Sequence, residues 1–206
     1  MLTCTHCVRT NTRQPYKHKG TTLTKTTVLD RVTVKVGHVN RKATVRLPVQ
    51  EKVSKTWYQY DDYDYDNFNT RGKFDIGVIL LPSQLDFSTK FVSPVVLPAD
   101  NHREIGRNCR VVGLGKTEYE DEISRYLLWG ETHHLSFDQC HPQHYQTITE
   151  KNNICLGTRT EEQMSMACHG DSGGPIVCEG EENKNFVIGI VAGCTKNADY
   201  NMLLLK

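Results

Sequence analysis

Apolar and polar residues alternate, or a few apolar residues stand together between turn formers, in short runs along the whole chain, and no stretch keeps the apolar period of a long amphipathic helix. Val32, Val34 and Val36 alternate with Thr33 and Lys35, which predicts a strand with one buried face. Residues 44–47 are a second candidate, and the isoleucine-rich run 76–81 predicts a buried strand. Further along, 110–113, 127–129, 175–178 and 186–192 read the same way. The pattern is that of an all-β protein, and no internal repeat stands out.

With 206 residues the chain is long enough to bury a sizeable core. Its formal charge of +1 implies no general attraction to nucleic acid or to an anionic membrane. No apolar run approaches the roughly 18 residues of a spanning helix, and the opening residues are polar and basic, so neither a membrane span nor a leader is read here. Eight cysteines point to an oxidising compartment, because free thiols at that density are uncommon in reduced cytosol unless they bind metal.

Candidate chemistry concentrates in Gly170-Asp171-Ser172-Gly173-Gly174-Pro175. Glycines let the backbone approach a substrate closely, so N–H groups beside Ser172 can converge on one oxyanion. A nucleophilic serine needs a base, and the base an orienting acid, usually from remote parts of the chain. Leu2-Thr3-Cys4-Thr5-His6-Cys7-Val8 offers the imidazole, and Asp75-Ile76-Gly77-Val78-Ile79-Leu80-Leu81 an acid leading into an apolar strand. Blander readings stand beside these: a glycine-rich turn, an ordinary strand-capping Asp75, or half a zinc knuckle at Cys4, His6 and Cys7. A second C-x-x-C pair is absent, so no metal is expected.

Taken together and in this order, the three segments resemble those of the chymotrypsin/trypsin family of serine peptidases, which places His, Asp and Ser in that sequence. Cys4 and Thr5 stand where the family usually has alanines, and Gly77 replaces another. The resemblance implies two packed, six-stranded-type antiparallel β-barrels, with the proline-punctuated run 92–98 as the crossing between them. Residues 1–98 then form the first unit, carrying His6 and Asp75, and 99–206 the second, carrying Ser172. It implies that His6, Asp75 and Ser172 are catalytic, that Gly170 and Ser172 supply the oxyanion hole, and that no cofactor is needed.

Disulfides implied by the resemblance are Cys109–Cys178, Cys140–Cys155 and Cys168–Cys194. Cys7 lacks its usual upstream partner, leaving a strained bridge to Cys4 or two free thiols. In the family an N-terminal amine released by cleavage pairs with the acid before the nucleophile, here Asp171. No such amine precedes His6, so Asp171 is expected to be an unpaired charge. The pocket would be lined by Met166, Ala167, Cys168, His169, Val191, Ala192 and Gly193. Met166 stands where trypsin-like relatives carry an aspartate, so an apolar pocket is expected. Residues 192–194 read as a wall shortened by two residues, and 195–206 show neither a closing strand nor a terminal helix. The chain thus reads as truncated at both ends. The acidic, aromatic stretch 57–67 reads as a solvated surface loop, with an exosite for a basic partner as the alternative. Expected partners are protein or peptide substrates and protein inhibitors, for a secreted monomer. The alternative function is a catalytically impaired homologue that binds or regulates another protein.

Overall fold

A computed structural model describes residues 1–18, 21–42, 49–59, 63, 74–97, 108–117, 120–139, 153–157, 167, 169–180, 185–194 and 202–205. Among them the regular structure is strand, apart from two 3₁₀ turns at Thr5–Val8 and Phe137–Gln139. The predicted strands at 44–47 lie outside the described residues.

In the first half, β1 (Leu2–Thr3) precedes the Thr5–Val8 turn, and β2 (Arg9–His18) pairs with β3 (Thr21–Val28). The valine alternation becomes β4 (Val32–Val36), paired in antiparallel register with β5 (Gln50–Ser54). Its middle residue, Val34, points inward and packs in a core with Val8 and Ile79, flanked by Val32, Val36, Trp57 and Leu81. Next come β6 (Thr56–Gln59) and β7 (Gly77–Leu80), and β7 lies between β1 and β6 in a three-stranded sheet. The stretch 57–67 therefore departs from a purely solvated loop. Trp57, Tyr58 and Gln59 are strand residues paired with β7, and Tyr63 is buried at 4% exposure.

The second half contributes β8 (Cys109–Gly113), the short pair β9 (Lys116–Thr117) and β10 (Glu120–Ile123), then β11 (Leu128–Leu135), β12 (Asn153–Gly157), β13 (Pro175–Glu179), β14 (Asn185–Cys194) and β15 (Met202–Leu205). Six of these close a barrel in the order β11-β12-β15-β14-β13-β8. Pro175 begins its strand, where a missing N–H does least damage. Behind it Ile176 and Cys178 face inward with no exposed surface, and Leu156 on β12 is equally enclosed. Burying each large apolar side chain contributes about 1.5–3 kcal/mol.

The end of the chain corrects the expectation for 195–206. Met202–Leu205 is a strand, pairing with β12 on one side and β14 on the other, and it closes the barrel. An apolar run of four residues carries no helix or strand periodicity of its own; the two open edges beside it decide its conformation.

Two contacts between the halves position the site. The segment 39–42 meets 123–127, with Leu127 N–H donating to Val39 O at 2.7 Å and Arg41 N–H to Arg125 O at 2.8 Å. Cys4 and Ile190 share a buried cluster with Leu2, Ile76 and Ala192, which sets β14 of the barrel against the turn that bears His6.

Candidate active site

His6 sits on the 3₁₀ turn that follows β1, and the sheet dictates what lies beneath it. Because β1 runs antiparallel to β7, with Leu2 opposite Val78 and Thr3 opposite Gly77, the turn leaving β1 falls beside the residues entering β7. Thr5, fully buried, donates its hydroxyl to Ile76 O at 2.7 Å, and Cys7 N–H closes the turn on Cys4 O at 3.3 Å. Asp75, 3% exposed, accepts the His6 backbone N–H on Oδ1 at 2.8 Å, and its Oδ2 makes a short bond with His6 Nδ1. Gly77 packs against the same turn: a Cβ there would stand 3.3 Å from Tyr58 O and 3.5 Å from Thr5 Oγ1.

A carboxylate at Nδ1 holds the ring proton on that nitrogen and leaves a lone pair on Nε2. That nitrogen lies 3.7 Å from Cys4 Sγ and 3.9 Å from Cys7 Sγ. The two sulfurs are joined in a disulfide, so of the two alternatives for these cysteines the bridge is the one formed.

Ser172 lies in the loop that enters β13, half-buried. Gly170 and Gly173 have φ of 100° and 79°, a region that side chains with a Cβ rarely adopt. Gly174 N–H donates to Asp171 O at 2.8 Å, while Gly173 N–H and Val191 O, and Val191 N–H and Gly174 O, tie the loop to β14 at 2.8 and 2.9 Å. The N–H groups of Gly170 and Ser172 have no acceptor among the described residues, so both are available to a ligand oxygen.

Asp171, the acid before the nucleophile, is held by the backbone. Its carboxylate is buried, and Oδ1 accepts Gly115 N–H at 2.7 Å. A Cβ on Gly113 would come within 1.8 Å of that oxygen, and one on Gly115 within 2.4 Å of Oδ2. Two glycines at alternate positions thus hollow a cradle that only a bare backbone leaves open. The amine of Met1 donates elsewhere, to Ile79 O at 2.7 Å. Sequence reasoning missed this role of 113–115, although the G-x-G spacing was its signal.

The loop of Ser172 abuts the turn of His6. A Cβ on Gly173 would stand 2.4 Å from Thr3 Oγ1, 3.2 Å from Cys4 N and 3.2 Å from Cys7 Sγ. Among the described residues no hydrogen bond joins His6 to Ser172; such bonds are often long until substrate is bound.

Of the residues expected to line a pocket, Ala167 and Val191 lie in the barrel core with Val111, Leu156 and Ile176. His169 is exposed, and its carbonyl accepts Lys116 N–H at 2.8 Å. Ala192 and Gly193 are half-buried at an irregularity in the β14–β15 pairing, and a Cβ on Gly193 would meet open space. Met166 and Cys168 lie outside the described residues. Cys109 and Cys178, directly opposite on β8 and β13, form a disulfide. Cys155 is disulfide-bonded, while Cys140 and the side chain of Cys194 lie outside what is described. No helix among the described residues is long and apolar enough to cross a membrane.

Comparison with known proteins agrees with this architecture. The sequence model of the family described as Trypsin matches residues 1–203. Among solved structures the chain is similar to neuropsin, a serine protease expressed in the limbic system of mouse brain. The two share 24% identity with a TM-score of 0.72, over 100% of this chain and 78% of that one, a likeness of fold.

Proposed function

Because this chain belongs to the trypsin family, whose fold supports a serine endopeptidase, we propose that it cleaves peptide bonds through His6, Asp75 and Ser172. The observation that carries this reading is the packing of the Ser172 loop on the very turn where Asp75 holds His6. His6 Nε2 takes the proton of Ser172 as its hydroxyl attacks the substrate carbonyl, then passes it to the leaving amine. Asp75 fixes the tautomer and stabilises the imidazolium. The free N–H groups of Gly170 and Ser172 hold the tetrahedral oxyanion, a contribution of about 3–4 kcal/mol per donor in such enzymes. Water then hydrolyses the acyl-enzyme.

Residues 1–98 act as one unit and 99–206 as the other. Met166 stands in the sequence where trypsin-like relatives carry an aspartate, so the pocket takes an aromatic or large aliphatic side chain rather than a cation. Substrates and inhibitors are proteins or peptides, met by a secreted monomer.

A second reading, a homologue that binds without cleaving, draws on one observation: among the described residues the contacts of His6 Nε2 are with the Cys4 and Cys7 sulfurs. A fluorophosphonate label decides between them. Labelling of Ser172 that disappears in His6→Ala supports catalysis; folded protein that takes no label supports the binding role.

A further inference from the structure

Cys4, His6 and Cys7 present two sulfurs and one imidazole nitrogen that all lie within 4.8 Å of one another. We propose that reduction of the Cys4–Cys7 disulfide opens a three-ligand site for a thiophilic divalent cation, zinc foremost, built from both Sγ atoms and His6 Nε2.

The geometry is close to what a tetrahedral zinc demands. Bond lengths of about 2.3 Å to sulfur and 2.0–2.1 Å to nitrogen put ligand nitrogen and sulfur about 3.6 Å apart, and two sulfurs about 3.8 Å apart. Nε2 already stands 3.7 and 3.9 Å from the two sulfurs. Once the covalent bond between them is cut, the sulfurs need only part. The 3₁₀ turn, closed by Cys7 N–H on Cys4 O, keeps both on the ring's side. The remaining shell is also in place. Metal-binding histidines commonly donate their other ring N–H to a carboxylate, which orients the ring, and Asp75 accepts that N–H from His6. A fourth position is left for water.

The redox step balances with a dithiol as reductant. Its thiolate attacks the sulfur of Cys7, which lies at the surface, and expels the buried Cys4 thiolate. The second thiol of the reductant then displaces Cys7, so the reductant leaves as a disulfide and its two protons pass to Cys4 and Cys7. Zinc binding releases those two protons to solvent as both sulfurs coordinate as thiolates. Its charge is balanced by them, with Asp75 behind the ring. The consequence for activity rests on the proposed function: a metal on Nε2 occupies the lone pair that would accept the Ser172 proton, so the reduced, metal-bound protein is switched off.

Cobalt(II) tests the site without reference to activity. After reduction with a trialkylphosphine, which consumes one water and leaves as its oxide, the full chain is expected to bind one cobalt. Binding is seen as thiolate-to-metal charge transfer and the intense visible bands of a tetrahedral site, both absent in the disulfide form. Asp75→Asn should weaken binding about 10–100-fold. His6→Gln, which keeps the cysteines and the turn, should change the spectrum and weaken binding further. Cys4→Ser/Cys7→Ser should lose the thiolate charge-transfer band of this site, and should it fail to fold, His6→Gln still decides. Equal cobalt binding by the disulfide form, or an unchanged spectrum in His6→Gln, overturns the proposal. Labelling of Ser172 then reads the consequence: zinc should block it in reduced protein and leave it in oxidised protein, and equal inhibition of both forms overturns the switch. If no form labels, the peptidase reading falls while the cobalt spectra still decide on the metal site.

Discussion

Gly113→Ala should be among the most damaging single-methyl additions to this chain. The new Cβ would stand 1.8 Å from Asp171 Oδ1 and 2.6 Å from Cγ. Non-bonded heavy atoms settle near 3.5–4 Å, so the carboxylate must move by well over 1 Å. That movement breaks the 2.7 Å bond from Gly115 N–H. Losing a hydrogen bond to a buried charge costs about 1.5–3 kcal/mol. Forcing an extra methyl into a filled interior adds about 1–3 kcal/mol. The sum is about 2.5–6 kcal/mol, a large share of a domain's usual 5–15 kcal/mol. A double-mutant cycle isolates the cause. Asp171→Ala removes the group that is struck and leaves Gly115 N–H unsatisfied, at about 1–3 kcal/mol. In that background only the Asp171 Cβ, 3.1 Å from the new methyl, is still crowded, so Gly113→Ala should lose most of its cost and the double variant should be more stable than additivity predicts by about 2–5 kcal/mol. Denaturant midpoints with unchanged slopes measure all four proteins. If Gly113→Ala costs the same with and without the Asp171 carboxylate, the cradle is not what these glycines are for.

Asp75→Asn keeps the shape of the pair but offers Nδ1 an amide N–H, which moves the imidazole proton to Nε2; the rate of peptide cleavage should fall about 10⁴-fold, read as kcat/KM on a peptide substrate. Gly173→Ala combines a φ of 79° with a Cβ 2.4 Å from Thr3 Oγ1, and should cost about 1–3 kcal/mol and slow labelling of Ser172. Adding Thr3→Ala should recover the steric part alone, as thermal unfolding will show. Removing the Cys109–Cys178 bridge, which spans 69 residues, should cost about 4 kcal/mol from the freed unfolded chain, measured by denaturant unfolding of Cys109→Ala/Cys178→Ala.

Much of the fold is legible in short windows of sequence. The alternation at 32–36 and the strand at 175–178 each satisfy one buried face, a demand that neighbouring residues alone can record; the run 76–81, expected to be buried, is a strand with one open face, where Val78 and Leu80 are exposed. The stretch 57–67 misled because acidic residues around Tyr60–Tyr65 outweigh the strand that Trp57 and Tyr58 begin; their partner, β7, lies well beyond the loop in sequence.

What the residues determined by themselves is chemical type and backbone permission. A serine stands between glycines at 170–174, an imidazole sits on a tight turn among cysteines, and an acid leads into an apolar strand. Tertiary structure decided which partner each charged or reactive group meets. It put Gly115 N–H on Asp171, set Asp75 beneath His6, and drew Met202–Leu205 between two strand edges. The division has one physical cause: turn and strand preferences act within a few residues, whereas the satisfaction of a buried charge or an open edge depends on whatever the folded chain brings within about 3 Å of it.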